Sequence, residues 1–260
     1  MKIGGALASA RVSWYAPAHR ADLPAYAFRA SAVGQVRPAK GRATLFIGHF
    51  ALGFAAKRAA PRLSLAVLFA AAQLADLMWP FLVAAGIEQV RIEPGITAFT
   101  PLDFVSYPYS HSLLFLAVWG ILFGLICAGV ARDRRMVGWI AALVVSHWVL
   151  DWITHRPDMP LYPGSEKFGL GLWNSVPGTI AVELAMFAAG VWAYIRSTRA
   201  RDRVGRRAFA AFVGFLLAAY AASLGTPPPS VTVLIVTAVV GVGLLLLWAL
   251  WFDRHRTPIE

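Results

Sequence analysis

Residues 136–155 read MVGWIAALVVSHWVLDWITH, an apolar run interrupted only by Ser146, His147, Asp151, Thr154 and His155. A helix rises about 1.5 Å per residue, so a run of this length crosses a hydrocarbon core about 30 Å thick. At four-residue spacing the two imidazoles and the carboxylate share one face of that helix. Ionisable groups in hydrocarbon are costly and turn toward partners, so the residues that interrupt the span also mark a candidate site.

The rest of the chain repeats the pattern. Of 260 residues, 58% are hydrophobic and 14% charged, with a mean hydropathy of +0.62, too apolar for an ordinary soluble domain. Apolar segments fall at 44–57, 63–86, 111–131, 136–155, 174–195, 208–224 and 230–252. No alternating strand pattern competes with them. The sequence therefore predicts an all-α fold, a multi-pass transmembrane helical bundle of about six to seven membrane helices in the plasma (inner) membrane. Segment 44–57 is short for a span and is expected to be embedded in part; a kink is expected at Trp79-Pro80.

The net charge of +11 sits in short clusters between apolar runs. That distribution reflects membrane topology and excludes nucleic acid as the partner. Lys57, Arg58 and Arg62, then Arg132, Arg134 and Arg135, the basic run 196–207, and Arg254 with Arg256 alternate with loops holding only Arg91, Arg156 and Lys167. Cytoplasmic loops carry the excess, which places loops 87–110, 156–173 and 225–229 outside. Their Trp and Tyr residues, Trp173 included, are expected in an interfacial belt, with Asp103 and Asp158 as polar contacts. Residues 1–42 read as a basic arm without stable structure and 43–195 as the membrane core. A basic cytoplasmic linker, 196–207, leads to two further helices within 208–252 and a tail, 253–260. Membrane lipids are the expected partners.

Chemistry concentrates in the core. Besides the stripe it holds His49, Asp76, His111 and Glu183 within or at the ends of apolar runs. The single cysteine, Cys127, excludes an intrachain disulfide and a thiolate metal site. Imidazoles mixed with carboxylates suit a divalent metal, zinc first, whose catalytic sites keep an open position for water. Depth along the helices gathers these groups in one layer opening to the extracytoplasmic side. Ser110 beside His111 reads as a helix N-cap.

Phe46-Ile47-Gly48-His49, Asp76, Tyr109-Ser110-His111-Ser112-Leu113 and His147-Trp148-Val149-Leu150-Asp151 together resemble the YdjM-type membrane-bound metal-dependent hydrolases. The resemblance covers residues 44–195 and implies an all-helical hydrolase with His and Asp ligands. His49, Asp76, His111, His147 and Asp151 match its motif positions and become metal-ligand candidates. His155 and Glu183 rest on spacing alone, Glu183 as the group that manages protons. The chain departs from the family's acidic-x-acidic-His cluster, keeping only Asp76 in Ala75-Asp76-Leu77-Met78-Trp79. The expected function is hydrolysis of a lipid or phosphoester. Two alternatives remain at this stage: a permease with an intramembrane His/Asp/Glu relay, and a non-catalytic protein that keeps these groups for packing.

Overall fold

The computed structural model describes residues 47–259; the arm predicted over 1–42 lies outside them. The first helix, α1 (Ile47–Ala56), has ten residues and reaches about 15 Å, half the hydrocarbon thickness. Next come α2 (Leu65–Ala72) and α3 (Leu74–Ala84), which together have the length of a span but meet at an angle of 58°. The helices α5 (Leu113–Ala131), α6 (Arg135–Thr154), α7 (Val176–Ser197), α8 (Arg203–Ser223) and α9 (Val231–Arg254) are each long and apolar enough to cross a membrane. Among the described residues there are thus five such helices, or six with the bent pair. Among the described residues all seven apolar segments contain a helix, and the first is too short to span.

Two features depart from the expectation. The bend lies at Gln73, whose backbone (φ −107°, ψ 14°) leaves the helical region, whereas Pro80 sits inside α3. The proline removes one hydrogen bond and α3 tolerates it; the chain turns where two helices end back to back. The loops also carry short antiparallel pairs: β1 (Gln89–Ile92) with β2 (Leu102–Ser106), β3 (Met159–Pro160) with β4 (Lys167–Phe168), and β5 (Thr198–Ala200) with β6 (Arg256–Pro258). They satisfy backbone groups in loops that cover the helix ends.

Small residues let the helices approach. A Cβ on Gly124 would meet the Val137 backbone at 2.8–2.9 Å, so α5 and α6 pack backbone to backbone, and Gly190 of α7 lies as tightly against Ala51 of α1. The core between them is aromatic. Phe54, Phe69, Phe212 and Phe252 are fully buried, with Phe69 and Phe212 stacked at 5.8 Å, so α8 and α9 close over α1 and α2.

One end of the bundle is locked by a buried ion pair. Lys57 Nζ lies 2.8 Å from Asp253 Oδ2 and donates to the Leu63 carbonyl at 2.7 Å. Asp253 also accepts from Leu65 N–H at 2.9 Å and from the Tyr194 hydroxyl at 2.7 Å. Four helices meet at this carboxylate, which lies in the last turn of α9 rather than in a free tail.

Candidate metal centre

At the other end of α1, Asp151 is the hub. Its Oδ1 lies 3.2 Å from His49 Nε2 and 4.0 Å from His155 Nε2. Its Oδ2 lies 3.1 Å from His147 Nε2 and 3.8 Å from His111 Nε2. Asp76 Oδ1 adds a second acidic edge, 3.5 Å from His111 Nε2 and 3.8 Å from His147 Nε2. All four imidazoles and Asp151 are buried, whereas the Asp76 side chain is 38% exposed and forms the open edge. The structure therefore brings together all six residues expected as ligands: His49, Asp76, His111, His147, Asp151 and His155.

Each arrives by a local device. α6 presents His147 and Asp151 one turn apart, and the His49 ring stacks on His147 at 3.8 Å. The helix ends at Thr154, so His155 is not the third member of a helical stripe. It is the extended C-cap (φ −67°, ψ 151°), turned so that Nε2 still faces Asp151. His111 closes a four-residue helix, α4 (Pro108–His111). Ser112, not Ser110, caps the next helix by accepting Phe115 N–H at 3.3 Å. The bend at Gln73 sets Asp76, in the first turn of α3, against His111 and His147.

Hydrogen bonds on the far side of three rings fix their tautomers. His147 Nδ1 lies 2.9 Å from the carbonyl of Ala72, the last residue of α2. A carbonyl only accepts, so Nδ1 carries a proton and Nε2 is the atom left to face the carboxylates. His155 Nδ1 lies 2.9 Å from Asp158 Oδ1, which also accepts from the Tyr107 hydroxyl at 2.8 Å. Burial and the neighbouring Asp158 hold that phenol well above its usual range, so it stays a donor. Ser110 Oγ donates to Glu88 Oε2 at 2.6 Å and so receives the His111 Nδ1–H at 2.7 Å. Carboxylate or carbonyl partners behind ligating imidazoles are the usual outer layer of a metal site.

The inner face then presents Nε2 atoms to carboxylate oxygens. His147 Nε2 is buried, 3.1 Å from Asp151 Oδ2. A proton on Nε2 or a metal ion between the two atoms satisfies that approach. Tetrahedral ligands at 2.0–2.1 Å from zinc stand about 3.3 Å apart, and the separations here are 3.1–4.0 Å. Two overlapping groups, His49–His147–Asp151 and Asp76–His111–His147, keep their ligand atoms within 4.8 Å of one another and could each hold an ion.

A family model described as YdjM inner membrane protein matches residues 44–226, more than half of the chain. The chain belongs to the YdjM inner membrane protein family. Neither the curated proteins nor the solved structures contain a match. Family and helices together make it an integral, multi-pass membrane protein.

Two residues of this YdjM-family site escaped the sequence reading. Glu88 is buried and accepts from the N–H groups of Tyr109 and Ser110 at 2.8 and 2.9 Å as well as from the Ser110 hydroxyl. Its only signal is an acidic residue just beyond the Gly86 turn, which spacing does not connect to His111. Trp173, expected at the interface, is instead buried with its ring 4.1 Å from His155. The backbone explains it, because the Phe99 N–H donates to the Trp173 carbonyl and draws the two loops together. Of the loop acids, Asp158 orients His155, while Asp103 pairs with Arg156, which also holds Asp158. Glu183 belongs to neither ligand group. It is fully buried on α7 and accepts the N–H of Ile47, the first residue of α1, at 3.1 Å.

Replacing Glu88 with Ala removes the anchor of Ser110 and releases His111. Metal affinity falls by about 10–100-fold, with Glu88→Gln in between, in competition titrations with a chelating dye. Unchanged affinity in both variants would remove Glu88 from the site.

Proposed function

We propose that this chain is a membrane-embedded, metal-dependent hydrolase that uses zinc and acts on a lipid or phosphoester from the extracytoplasmic side. The observation that carries this reading is the convergence of four imidazole Nε2 atoms on Asp151, three of the rings being held from behind by a partner at Nδ1. His147, Asp151 and His49, with His111, Asp76 and His155, would hold the ion. A divalent ion bound there supplies Lewis-acid polarisation of an ester or phosphoryl oxygen and activates water near neutral pH.

The remaining work belongs to the chain's own residues. Asp76 forms the open edge of the cluster, where water and substrate would enter. Asp158 and Tyr107 hold His155 in one tautomer, and the Trp173 ring covers it from water. Glu183 acts through α1, fixing its start two residues before His49. The basic loops lie at the Lys57–Asp253 end and the cluster at the other, which under the positive-inside rule supports an outward-facing site.

The test is hydrolysis of a soluble phosphodiester and of a phospholipid by zinc-loaded protein in detergent. Turnover is expected, falling at least about 100-fold on chelation and in Asp76→Asn. A fully metal-loaded protein that hydrolyses neither ester class would contradict the reading. One observation favours a second reading: broken helices beside a carboxylate, here the Gln73 bend and Asp76, also mark transporter sites. Substrate-dependent uptake in proteoliposomes without hydrolysis would select it.

A further inference from the structure

An apolar groove of about 270 Å³ runs along the seam of α1, α2 and α6. Its walls include Leu52 and Ala55 of α1, Leu68 of α2, and Trp139, Leu143 and Ser146 of α6. The one polar wall residue, Ser146, has its only proton engaged, since Oγ donates to the Leu143 carbonyl at 2.6 Å. Trp139 is 52% exposed at the rim, so the groove opens toward the lipid-facing surface.

None of the cluster residues lines the groove, yet on each of the three walls a cluster residue or its anchor lies within about one helical turn. On α1 His49 stands three residues before Leu52. On α2 Ala72, whose carbonyl orients His147, stands four residues after Leu68. On α6 His147 stands four residues after Leu143. One turn is about 5.4 Å, so one end of the groove lies about that far from the cluster along each wall. The small residues Ala55, Ala56, Ala59 and Ala142 leave the space open where larger side chains would fill it.

We propose that this groove binds one acyl chain of a membrane lipid and brings the polar end of that lipid to the His/Asp cluster. An unbranched hydrocarbon matches a narrow lining without hydrogen-bonding demand, and the surrounding bilayer supplies it. The binding of the chain stands on the groove alone; only the fate of the lipid's polar end rests on the hydrolase reading.

The test uses the full-length protein in phosphatidylcholine nanodiscs containing a trace of phosphatidylethanolamine with a mid-chain diazirine. After illumination, labelled peptides are mapped by mass spectrometry, and metal content is measured on the same samples. Labelling is expected to concentrate on residues 52–60 and 139–146. It should fall roughly tenfold in Ala55→Phe and in Ala142→Phe, whose metal content and elution profile match the parent. Ala142 is exposed, so its variant keeps the test valid if Ala55→Phe does not fold. Labels spread evenly over the lipid-facing helices, or unchanged by both substitutions, would overturn the proposal and point to another occupant, such as a second copy of the chain. A labelled seam in protein without metal would support the groove while the hydrolase reading fails; bound metal with an unlabelled seam would do the reverse.

Discussion

Asp151→Ala is expected to strip the protein of its metal while leaving the helices intact. Asp151 is the one carboxylate within 4.0 Å of all four imidazole Nε2 atoms, so its loss removes the charge of one ligand group and the acidic neighbour of His111 in the other. Outer partners of a site typically change affinity by 10–100-fold, and a direct charged ligand should exceed about 100-fold. The imidazoles that remain keep their outer hydrogen bonds, so helicity by circular dichroism should match the parent. Asp151→Asn preserves the shape but not the charge and should behave almost as badly. Near-stoichiometric metal in either variant, by elemental analysis after removal and reloading, would exclude Asp151 as the hub.

The largest expected loss of stability lies at the opposite end of α1, about 12 Å from His49. Lys57→Met leaves Asp253 buried, with only the Leu65 N–H and the Tyr194 hydroxyl to satisfy it. Removing one partner of a buried ion pair costs about 3–5 kcal/mol, because the other charge stays desolvated. The apparent melting temperature in detergent should fall on the order of 10 °C. Adding Asp253→Asn removes the charge; its one oxygen can accept the Leu65 N–H while its NH2 donates to the Tyr194 hydroxyl oxygen, so the double variant should regain most of the loss. Distant sites act independently, and metal content should not change in either variant. A Lys57→Met protein as stable as the parent would show that the pair contributes only to local order.

The sequence carried the spans because hydropathy is a local property, and among the described residues every apolar segment contains a helix. It carried the members of the His/Asp cluster because His147 and Asp151 lie one helical turn apart and the other positions match a family motif. What it lacked is long-range. Gln73 bends the chain, although Pro80 is the residue with the local reason to do so. Glu88 reaches His111 only through Ser110, across a pair of short strands. Asp253 read as part of a tail because its partner, Lys57, is 196 positions away in sequence. His155 joined the cluster as expected but by leaving the helix, with Asp158 supplying the turn that spacing attributed to helical periodicity.

The central claim is that the His/Asp cluster binds a divalent metal, and X-ray absorption at the zinc edge of the reloaded protein tests it most directly. The account predicts near-stoichiometric zinc with a first shell of nitrogen and oxygen at about 2.0–2.1 Å, outer scattering from imidazole rings and no sulfur. Both the zinc and that outer scattering should be lost in the His147→Ala/Asp151→Ala double variant. A folded parent that holds no zinc, or whose zinc environment survives the double variant, would contradict the account and leave the cluster a hydrogen-bonded polar network.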